Sequence, residues 1–463
     1  MYKYIFTVIL FFFLPLLTHA AYDADFQRGY NFPSWWFDSY SQSWSDDSFK
    51  ELLTHKPGWI AVEPFWYQKD KYATTIYPNA KRTANDAGVE HVIQMAHASG
   101  VKVMLKPFVD AEGGDWRGTF KPKDTNAWFA SYTAMAVHYA KMAQRLNVES
   151  YLIGAEYVTL SGSQYSQKWR DVATAVRQNY SGQIGYGANW DNQKGTSEFA
   201  LIDWWDAVDF IGIHAYFPIA KTNDATQTEM LKELEPWVLR VQATQEKYKK
   251  PVIFTEAGYK SCDGGTRIPW WCNPKAGVDL QEQSDGTEAI LRAFQDKPWF
   301  KGIFWWMWNI KPSSGGVKDK DHNMNRKPVM DVIKKYWNAS ATAMAGQAIS
   351  GPVPILPPLP PIIILPKQPI VAPTQKPEKK ETEFIYGIAR KSPAGEKVAE
   401  KKMWNAVGKS FGWRQPKLKP GEWTIALRAY MYGGYPINVV RDFLHHKKGV
   451  IINPTISWKE LKK

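Results

Sequence analysis

The 463 residues of the chain are too many for one small core and allow one large domain with additional segments. The formal net charge of +13 is concentrated at the end of the chain, where residues 384–463 carry 16 Lys and Arg against five Asp and Glu. Residues 21–350 are close to neutral, so the large domain is not predicted to bind nucleic acid.

The first twenty residues have the layout of a secretory signal peptide. A lysine precedes an apolar run from Ile5 to Leu17, and Ala20 ends a cleavage site. The run is shorter than the roughly 20 residues that a membrane-spanning helix needs, which favours cleavage over an uncleaved anchor. We therefore predict a signal peptide at residues 1–20, a mature chain without a membrane span, and a location outside the cytoplasm, secreted or associated with the cell envelope.

Residues 22–345 alternate short β-rich segments with longer stretches of helical periodicity, which is the pattern of parallel βα units. The predicted strands are Arg28–Phe32, Trp59–Phe65, Val101–Phe108, Ser150–Glu156, Gln183–Asn189, Val208–His214, Pro251–Glu256 and Gly302–Trp308. The predicted helices are Asp46–Thr54, Asp86–Ser99, Asn126–Arg145, Tyr165–Asn179, Thr226–Tyr248, Leu280–Asp296 and Lys327–Trp337, with a weak helical segment at Ser197–Asp206. Eight such units predict an α/β fold, a (β/α)8 TIM barrel. A doubly wound sheet is the alternative, but no Gly-rich phosphate turn follows the first strand.

Two further segments follow the predicted barrel. Residues 346–383 are Pro-rich and then charged, a composition that favours an extended linker. Residues 384–463 have apolar residues at helix-like spacing in Ile425–Tyr432 and Val439–Leu444, which predicts a small, mainly helical basic module. Because this module is basic and follows an export signal, we expect an anionic cell-envelope surface as its partner. The alternative is that its lysines only keep a small domain soluble.

The two cysteines, Cys262 and Cys272, lie ten residues apart in a stretch that contains Gly and Pro. In an exported protein this spacing is compatible with one disulfide that closes a loop. Two cysteines cannot form the usual structural zinc set, and the His-Glu-x-x-His pattern is missing from the sequence. The sequence therefore predicts neither a metal nor a cofactor.

Two glutamates end predicted strands, Glu156 the fourth and Glu256 the seventh. Each follows a mostly apolar strand, an unfavourable place for a carboxylate without a purpose. Alone, each would be as well explained by a helix cap or a partner arginine, but in a barrel the carboxyl ends of the strands line one mouth. Cleavage of a glycosidic bond with retention needs two such carboxyls about 5 Å apart, one protonated and one ionised.

Eight motifs, in chain order from about Gly29 to Asn309, together resemble glycoside hydrolase family 113. They are Trp66-Tyr67-Gln68, Lys106-Pro-Phe-Val-Asp110, Trp116-Arg117-Gly118, Gly154-Ala-Glu156, Ala188-Asn189-Trp190-Asp191, His214-Ala-Tyr216-Phe-Pro218, Phe254-Thr-Glu256-Ala-Gly-Tyr259 and Trp305-Trp306-Met-Trp308. The resemblance implies a retaining (β/α)8 enzyme that cleaves a β-linked polysaccharide, chiefly endo-β-1,4-mannan. The chain departs from the family pattern at Phe108, where a His often follows Lys-Pro, and at Ala155, where Thr is usual.

The resemblance also implies roles for individual residues. Glu156 would be the acid/base and Glu256 the nucleophile, with Tyr216 hydrogen-bonded to the nucleophile. The predicted substrate-binding residues are Trp36, Trp66, Lys106, Asp110, Trp116, Asn189, Trp190, Tyr216 and Trp306.

Three other functions stay open at this point. The substrate could be another β-linked wall glycan, or the barrel could be a non-catalytic glycan-binding protein tethered to the cell envelope. Binding alone would not require both glutamates, which favours an enzyme. The third alternative makes the basic module the functional part, as a nucleic-acid or envelope binder.

Overall fold

A computed structural model describes residues 25–191, 195–346, 384–391 and 422–429. Within the first two ranges, eight parallel strands follow one another in chain order around a closed barrel. These barrel strands are β1 (Gln27–Pro33), β2 (Trp59–Glu63), β4 (Lys102–Leu105), β6 (Ser150–Ala155), β7 (Gln183–Asn189), β8 (Phe210–His214), β9 (Val252–Ala257) and β10 (Phe300–Trp305). The predicted (β/α)8 barrel is confirmed, and each predicted strand overlaps one of these.

Helices alternate with the barrel strands along the chain. They are α1 (Ser43–Leu53), α2 (Asp86–Ala98), α3 (Thr125–Arg145), α4 (Ser166–Arg177), α5 (Glu198–Leu201), α6 (Gln227–Tyr248), α7 (Leu280–Phe294) and α8 (Val329–Gly346). The segment with the weakest helical pattern contains only the four residues of α5 and a 3₁₀ turn at Trp205–Ala207.

Four of the helices begin at a side chain that caps the first turn. The side chains of Asn85, Asp124 and Asp279 accept hydrogen bonds from backbone N–H groups at the start of α2, α3 and α7. Thr226 and Glu229 form a reciprocal capping box at the start of α6. Such caps satisfy backbone donors that a helix start leaves free, which explains why the predicted starts agree with the structure within one residue.

Two barrel strands break at a proline and then resume. After Pro64 the chain forms β3 (Phe65–Gln68), and after Pro107 it forms β5 (Phe108–Ala111). Proline has no N–H to donate to a ladder, so the barrel pairing is interrupted at both positions. The strands β3 and β5 pair in parallel as a separate sheet beyond the carboxyl ends of β2 and β4, and this sheet extends the wall at that end of the barrel.

Several tryptophans pack between the barrel and its helices. Six Trp side chains are fully buried, at positions 128, 169, 204, 205, 305 and 308. Trp169 stacks on Trp204 with ring centroids 5.3 Å apart and on Tyr157 at 5.8 Å. Buried aromatic rings remove large apolar areas from water, so these six tryptophans stabilise the fold.

Two antiparallel strands are described after the barrel, β11 (Phe384–Lys391) and β12 (Glu422–Ala429). The prediction of helical structure from Ile425 was wrong for residues 425–429, which belong to β12. Their sequence also fits a strand, because Trp423, Ile425 and Leu427 alternate with other residues at a period of two.

The predicted signal peptide, the Pro-rich linker and most of the basic module lie outside the described residues. The mainly helical character of residues 384–463 therefore stays a prediction. Across the part of the chain that is described, no helix has both the length and the apolar character needed to cross a membrane.

Candidate active site

Glu156 and Glu256 lie at the same end of the barrel. Glu156 directly follows β6 and is 9% exposed, whereas Glu256 lies near the end of β9 and is 5% exposed. His214 ends β8 and is opposite Glu256 in the ladder, directly after a register shift between Ile213 and His214. Such irregularities turn side chains away from the regular alternation and are frequent next to active sites.

The imidazole of His214 touches both carboxylates. Its Nδ1 lies 3.1 Å from Oε1 of Glu156, and its Nε2 lies 3.3 Å from Oε1 of Glu256. Gly187 on β7 makes room for this ring, because a Cβ at that position would lie 2.7 Å from Nε2. The two glutamates predicted to act together are therefore separated by one buried ring. His214 was not among the predicted site residues, although its place at a strand end was a usable signal.

Both oxygens of Glu256 have strong hydrogen-bond donors. Lys106 Nζ lies 2.8 Å from Oε1, and the hydroxyl of Tyr216 donates to Oε2 at 2.7 Å. Lys106 is fully buried, and hydrogen bonds from a charged donor are stronger than neutral ones. The carboxylate is consequently fixed in one orientation. The structure thus places Lys106 and Tyr216, both predicted site residues, on the predicted nucleophile.

Glu156 has a different set of partners. Trp116 Nε1 donates to its Oε2 at 3.3 Å, and Arg117 Nη1 donates to the same oxygen at 3.4 Å. Burial by itself would raise the pKa of Glu156, but His214, Arg117 and Trp116 all favour the ionised form and lower the pKa to about 2. Glu156 is therefore a carboxylate near neutral pH.

The backbone of Glu156 is in the left-handed region, with φ of 57°. This conformation is uncommon for a residue with a side chain, and such strain is found mainly at functional sites. The N–H of Glu156 donates to the carbonyl of Gly187 at 2.9 Å, which anchors the residue to the neighbouring strand β7. The barrel therefore holds the side chain in a direction that a regular strand would not give it.

Asp110 binds the guanidinium group of Arg117. Its Oδ1 accepts hydrogen bonds from Arg117 Nη2 at 2.6 Å and from Nε at 3.1 Å. The guanidinium also lies 4.2 Å from the ring centroid of Phe108. Asp110 and Phe108 thus hold Arg117 against Glu156, and Arg117 is a site residue that the sequence did not predict.

A third carboxyl belongs to the same charged group. Glu63 ends β2, is fully buried, and has Oε1 2.8 Å from Lys106 Nζ. Lys106 also donates to Oδ1 of Asn31 at 2.6 Å and to the carbonyl of Thr255 at 3.3 Å. Burial raises the pKa of Glu63 to about 8, with Lys106 opposing this shift and Glu256 adding to it. One ammonium therefore joins Glu63 to Glu256.

Aromatic side chains lie beside this charged group. The ring of Trp306 lies 5.6 Å from Lys106 Nζ, and Trp35 packs edge-on against Trp306 with ring centroids 6.2 Å apart. Trp36, the next residue, is 53% exposed. Flat rings at the carboxyl ends of the strands suit the faces of sugar rings, so Trp306 and Trp36 are in positions compatible with substrate contact.

Trp190 lies in an aromatic stack at the loops that follow β7 and β9. It stacks on Trp270 with ring centroids 5.0 Å apart and packs edge-on against Trp237 at 5.5 Å. A disulfide between Cys262 and Cys272 closes the loop that contains Trp270, with their Cα atoms 6.3 Å apart. The closed loop is the Gly- and Pro-containing stretch between the two cysteines, whose spacing is compatible with a disulfide.

Two of the predicted substrate-binding residues, Trp66 and Asn189, also make hydrogen bonds within the fold. Trp66 donates to the hydroxyl of Tyr139 on α3 at 3.0 Å, so its indole N–H is bonded to that helix. Asn189 ends β7, and its backbone N–H donates to Glu198 at 2.6 Å. Within the described ranges, no three His, Cys, Asp or Glu side chains are grouped so that they could hold a metal ion.

Comparisons with known proteins show the family of the chain. The model of Glycoside Hydrolase Family 113 matches residues 34–327. The family 113 β-mannanase AaManA from Alicyclobacillus acidocaldarius, solved in complex with ManMIm, has 27% sequence identity and a TM-score of 0.61, covering 69% of this chain and 99% of its own.

A solved family 113 β-1,4-mannanase has 25% identity and a TM-score of 0.60, covering 68% of this chain and 99% of its own. A search of curated proteins found no match. Since the family model matches more than half of the chain, the protein belongs to glycoside hydrolase family 113 and is a retaining glycoside hydrolase.

Proposed function

We propose that the enzyme is an exported endo-β-1,4-mannanase in which Glu256 is the nucleophile and Glu156 is the acid/base. The observation that carries the assignment is the difference between the two carboxylates. Lys106 and Tyr216 hold both oxygens of Glu256, as an attacking group requires. Glu156 instead contacts His214, a ring that can exchange a proton.

In the first step, the Glu256 carboxylate attacks the anomeric carbon while Glu156 gives its proton to the glycosidic oxygen. The bond to the leaving sugar breaks, and a glycosyl ester of Glu256 forms. In the second step, Glu156 takes a proton from water as the water oxygen attacks the anomeric carbon. The ester bond breaks, Glu256 regains its charge, and the product keeps the original configuration.

The first step requires a proton on Glu156, whose lowered pKa favours the ionised form. His214 can supply this proton across the 3.1 Å contact between Nδ1 and Oε1. We infer that this contact is the route by which a proton reaches Glu156 when the glycan is bound.

Two observations support mannan as the substrate. The solved structures described above, at 25% and 27% identity, are a β-1,4-mannanase and a β-mannanase. In addition, Trp306 offers an aromatic face 5.6 Å from Nζ of Lys106, the residue that binds Glu256. Phe108 is at a position where the family pattern often has a histidine, so an apolar side chain replaces a polar one. The loss of polar contacts changes which sugar hydroxyls can be bound. The substrate panel must therefore include other β-linked glycans.

The test is the release of reducing sugars from mannans, glucans, xylans and chitosans by the purified full chain. We expect the highest rate on an unsubstituted β-1,4-mannan, with long oligosaccharides among the early products, as internal cleavage requires. A higher rate on glucan, xylan or chitosan would replace mannan as the substrate without changing the roles of Glu156 and Glu256. Release of single sugars from the start would contradict endo action.

A further inference from the structure

Glu63 is a buried carboxyl that the two-glutamate mechanism does not use. Its Oε1 lies 2.8 Å from Nζ of Lys106, and the same Nζ lies 2.8 Å from Oε1 of Glu256. Lys106 and Glu63 are both fully buried. The ammonium of Lys106 is thus shared by two carboxyls. Glu256 loses its charge in one half-reaction and regains it in the other, whereas Glu63 forms no bond to the sugar.

The charge of Lys106 needs a partner throughout the cycle. When Glu256 becomes an ester, it loses its negative charge, and a buried ammonium without a carboxylate is strongly disfavoured. The other oxygens near Nζ belong to the side-chain amide of Asn31 and the carbonyl of Thr255, which are neutral. Glu63 is the carboxyl within reach that can balance Lys106 in the esterified enzyme.

The surroundings of Glu63 favour such a change of charge. Lys106, Arg117 and Glu256 act on its carboxyl, and its backbone N–H donates to the hydroxyl of Tyr40 at 3.2 Å. Burial and the charge of Glu256 raise the pKa of Glu63, whereas Lys106 and Arg117 lower it. Esterification of Glu256 removes one of the two effects that keep Glu63 protonated, so it favours ionisation of Glu63.

We propose that Glu63 is a positioning residue that acts through Lys106 and becomes its counter-ion while Glu256 is esterified. As the ester forms, Glu63 releases a proton to solvent, and it takes a proton back when water frees Glu256. Lys106 is thereby paired with a carboxylate in both half-reactions. The inference rests on the proposed role of Glu256 as nucleophile.

The experiment measures the two half-reactions separately in the full chain with a 2-deoxy-2-fluoro-β-mannosyl fluoride, which forms a slowly hydrolysed glycosyl ester. In Glu63→Gln the esterified state would contain an unpaired ammonium. We therefore expect the ester to form about tenfold more slowly and to break down about tenfold faster than in the wild type. A general structural defect would slow both reactions, so the opposite directions identify the charge effect.

Two further variants complete the design. Glu282→Gln is the matched control, since Glu282 is also a buried carboxyl but accepts hydrogen bonds from the backbone of Gly264 and Thr266. Both of its rates should stay within about twofold of wild type. Glu63→Asp keeps the charge at a greater distance from Lys106 and should show smaller shifts in the same two directions. If circular dichroism shows that Glu63→Gln does not fold, Glu63→Asp decides the test.

Equal slowing of both reactions, or no change in either, would overturn the proposal for Glu63. Peptide mass spectrometry of the trapped wild type shows which residue carries the sugar. A label on Glu256 with unchanged rates in the Glu63 variants would reject this inference alone. A label on another residue would reject the assignment of the nucleophile, and this inference with it.

Discussion

The Nδ1 atom of His214 lies 3.1 Å from Oε1 of Glu156, and both groups are buried at the mouth of the barrel. This contact supports the view that His214 supplies the proton for the first step. Replacement by glutamine keeps a polar side chain but removes the titratable ring. Because positioned acid–base groups contribute typically 10²–10⁴-fold, His214→Gln should lower kcat on glycan by about 100-fold or more.

An activated aryl glycoside, whose leaving group needs no proton, should lose much less activity in the same variant. Kinetics on both substrates check this difference, with His91→Gln as the control, because His91 is an exposed histidine paired with Asp46. Equal losses on both substrates would mean that His214 only holds the two glutamates in place.

The second prediction concerns Glu256→Gln. The substitution removes the attacking charge with little change in volume, so turnover on every substrate should be abolished while the fold and glycan binding persist. The measurements are activity, circular dichroism and binding of a manno-oligosaccharide by calorimetry. Residual activity above about 1% of wild type would argue against a nucleophilic role, since the loss of such a group costs several orders of magnitude.

The third prediction concerns Glu156→Ala. An activated aryl glycoside should still form the glycosyl ester, and added azide should then accelerate turnover, because azide attacks without the help of a general base. The product should be a β-glycosyl azide, which chromatography can identify. If natural and activated substrates lose activity equally and azide has no effect, Glu156 has another role.

The fourth prediction concerns stability at acid pH. The pKa of Glu156 is lowered to about 2, so its ionised form stabilises the fold at pH values above the ordinary glutamate pKa. This contribution decreases as the pH falls through the range from about 4.5 to about 2. The difference in Tm between wild type and Glu156→Gln, measured by calorimetry, should therefore become smaller, or change sign, from pH 6 to pH 3. A difference that is constant over this range would contradict the lowered pKa.

The fifth prediction concerns the export signal and the basic module. The mature full chain should bind isolated cell-envelope material at low salt and dissociate at roughly half-molar salt, since screening shortens the reach of surface charges. Residues 22–345 alone should keep full activity on soluble glycan without binding that material. Retention of the shortened chain, or its inactivity, would show that residues 384–463 serve the fold or the active site.

The sequence determined the barrel and the two central residues of the site. Strand and helix periodicities are local properties, and consecutive parallel strands joined by helices close into a barrel in chain order. The ends of such strands meet at one mouth, so Glu156 and Glu256 could be paired from position alone. Family resemblance added Tyr216 and Lys106, which do contact Glu256.

Tertiary structure decided which side chains meet within the mouth. The position of His214 between the glutamates depends on a ladder irregularity and on the space beside Gly187, and neither is visible in a local pattern. The link between Glu63 and Glu256 through Lys106 depends on closure of the barrel, which brings together residues distant in sequence. The hydrogen bond from Trp66 to Tyr139 was likewise not visible in the sequence, because the direction of a side chain follows from packing as well as from strand position.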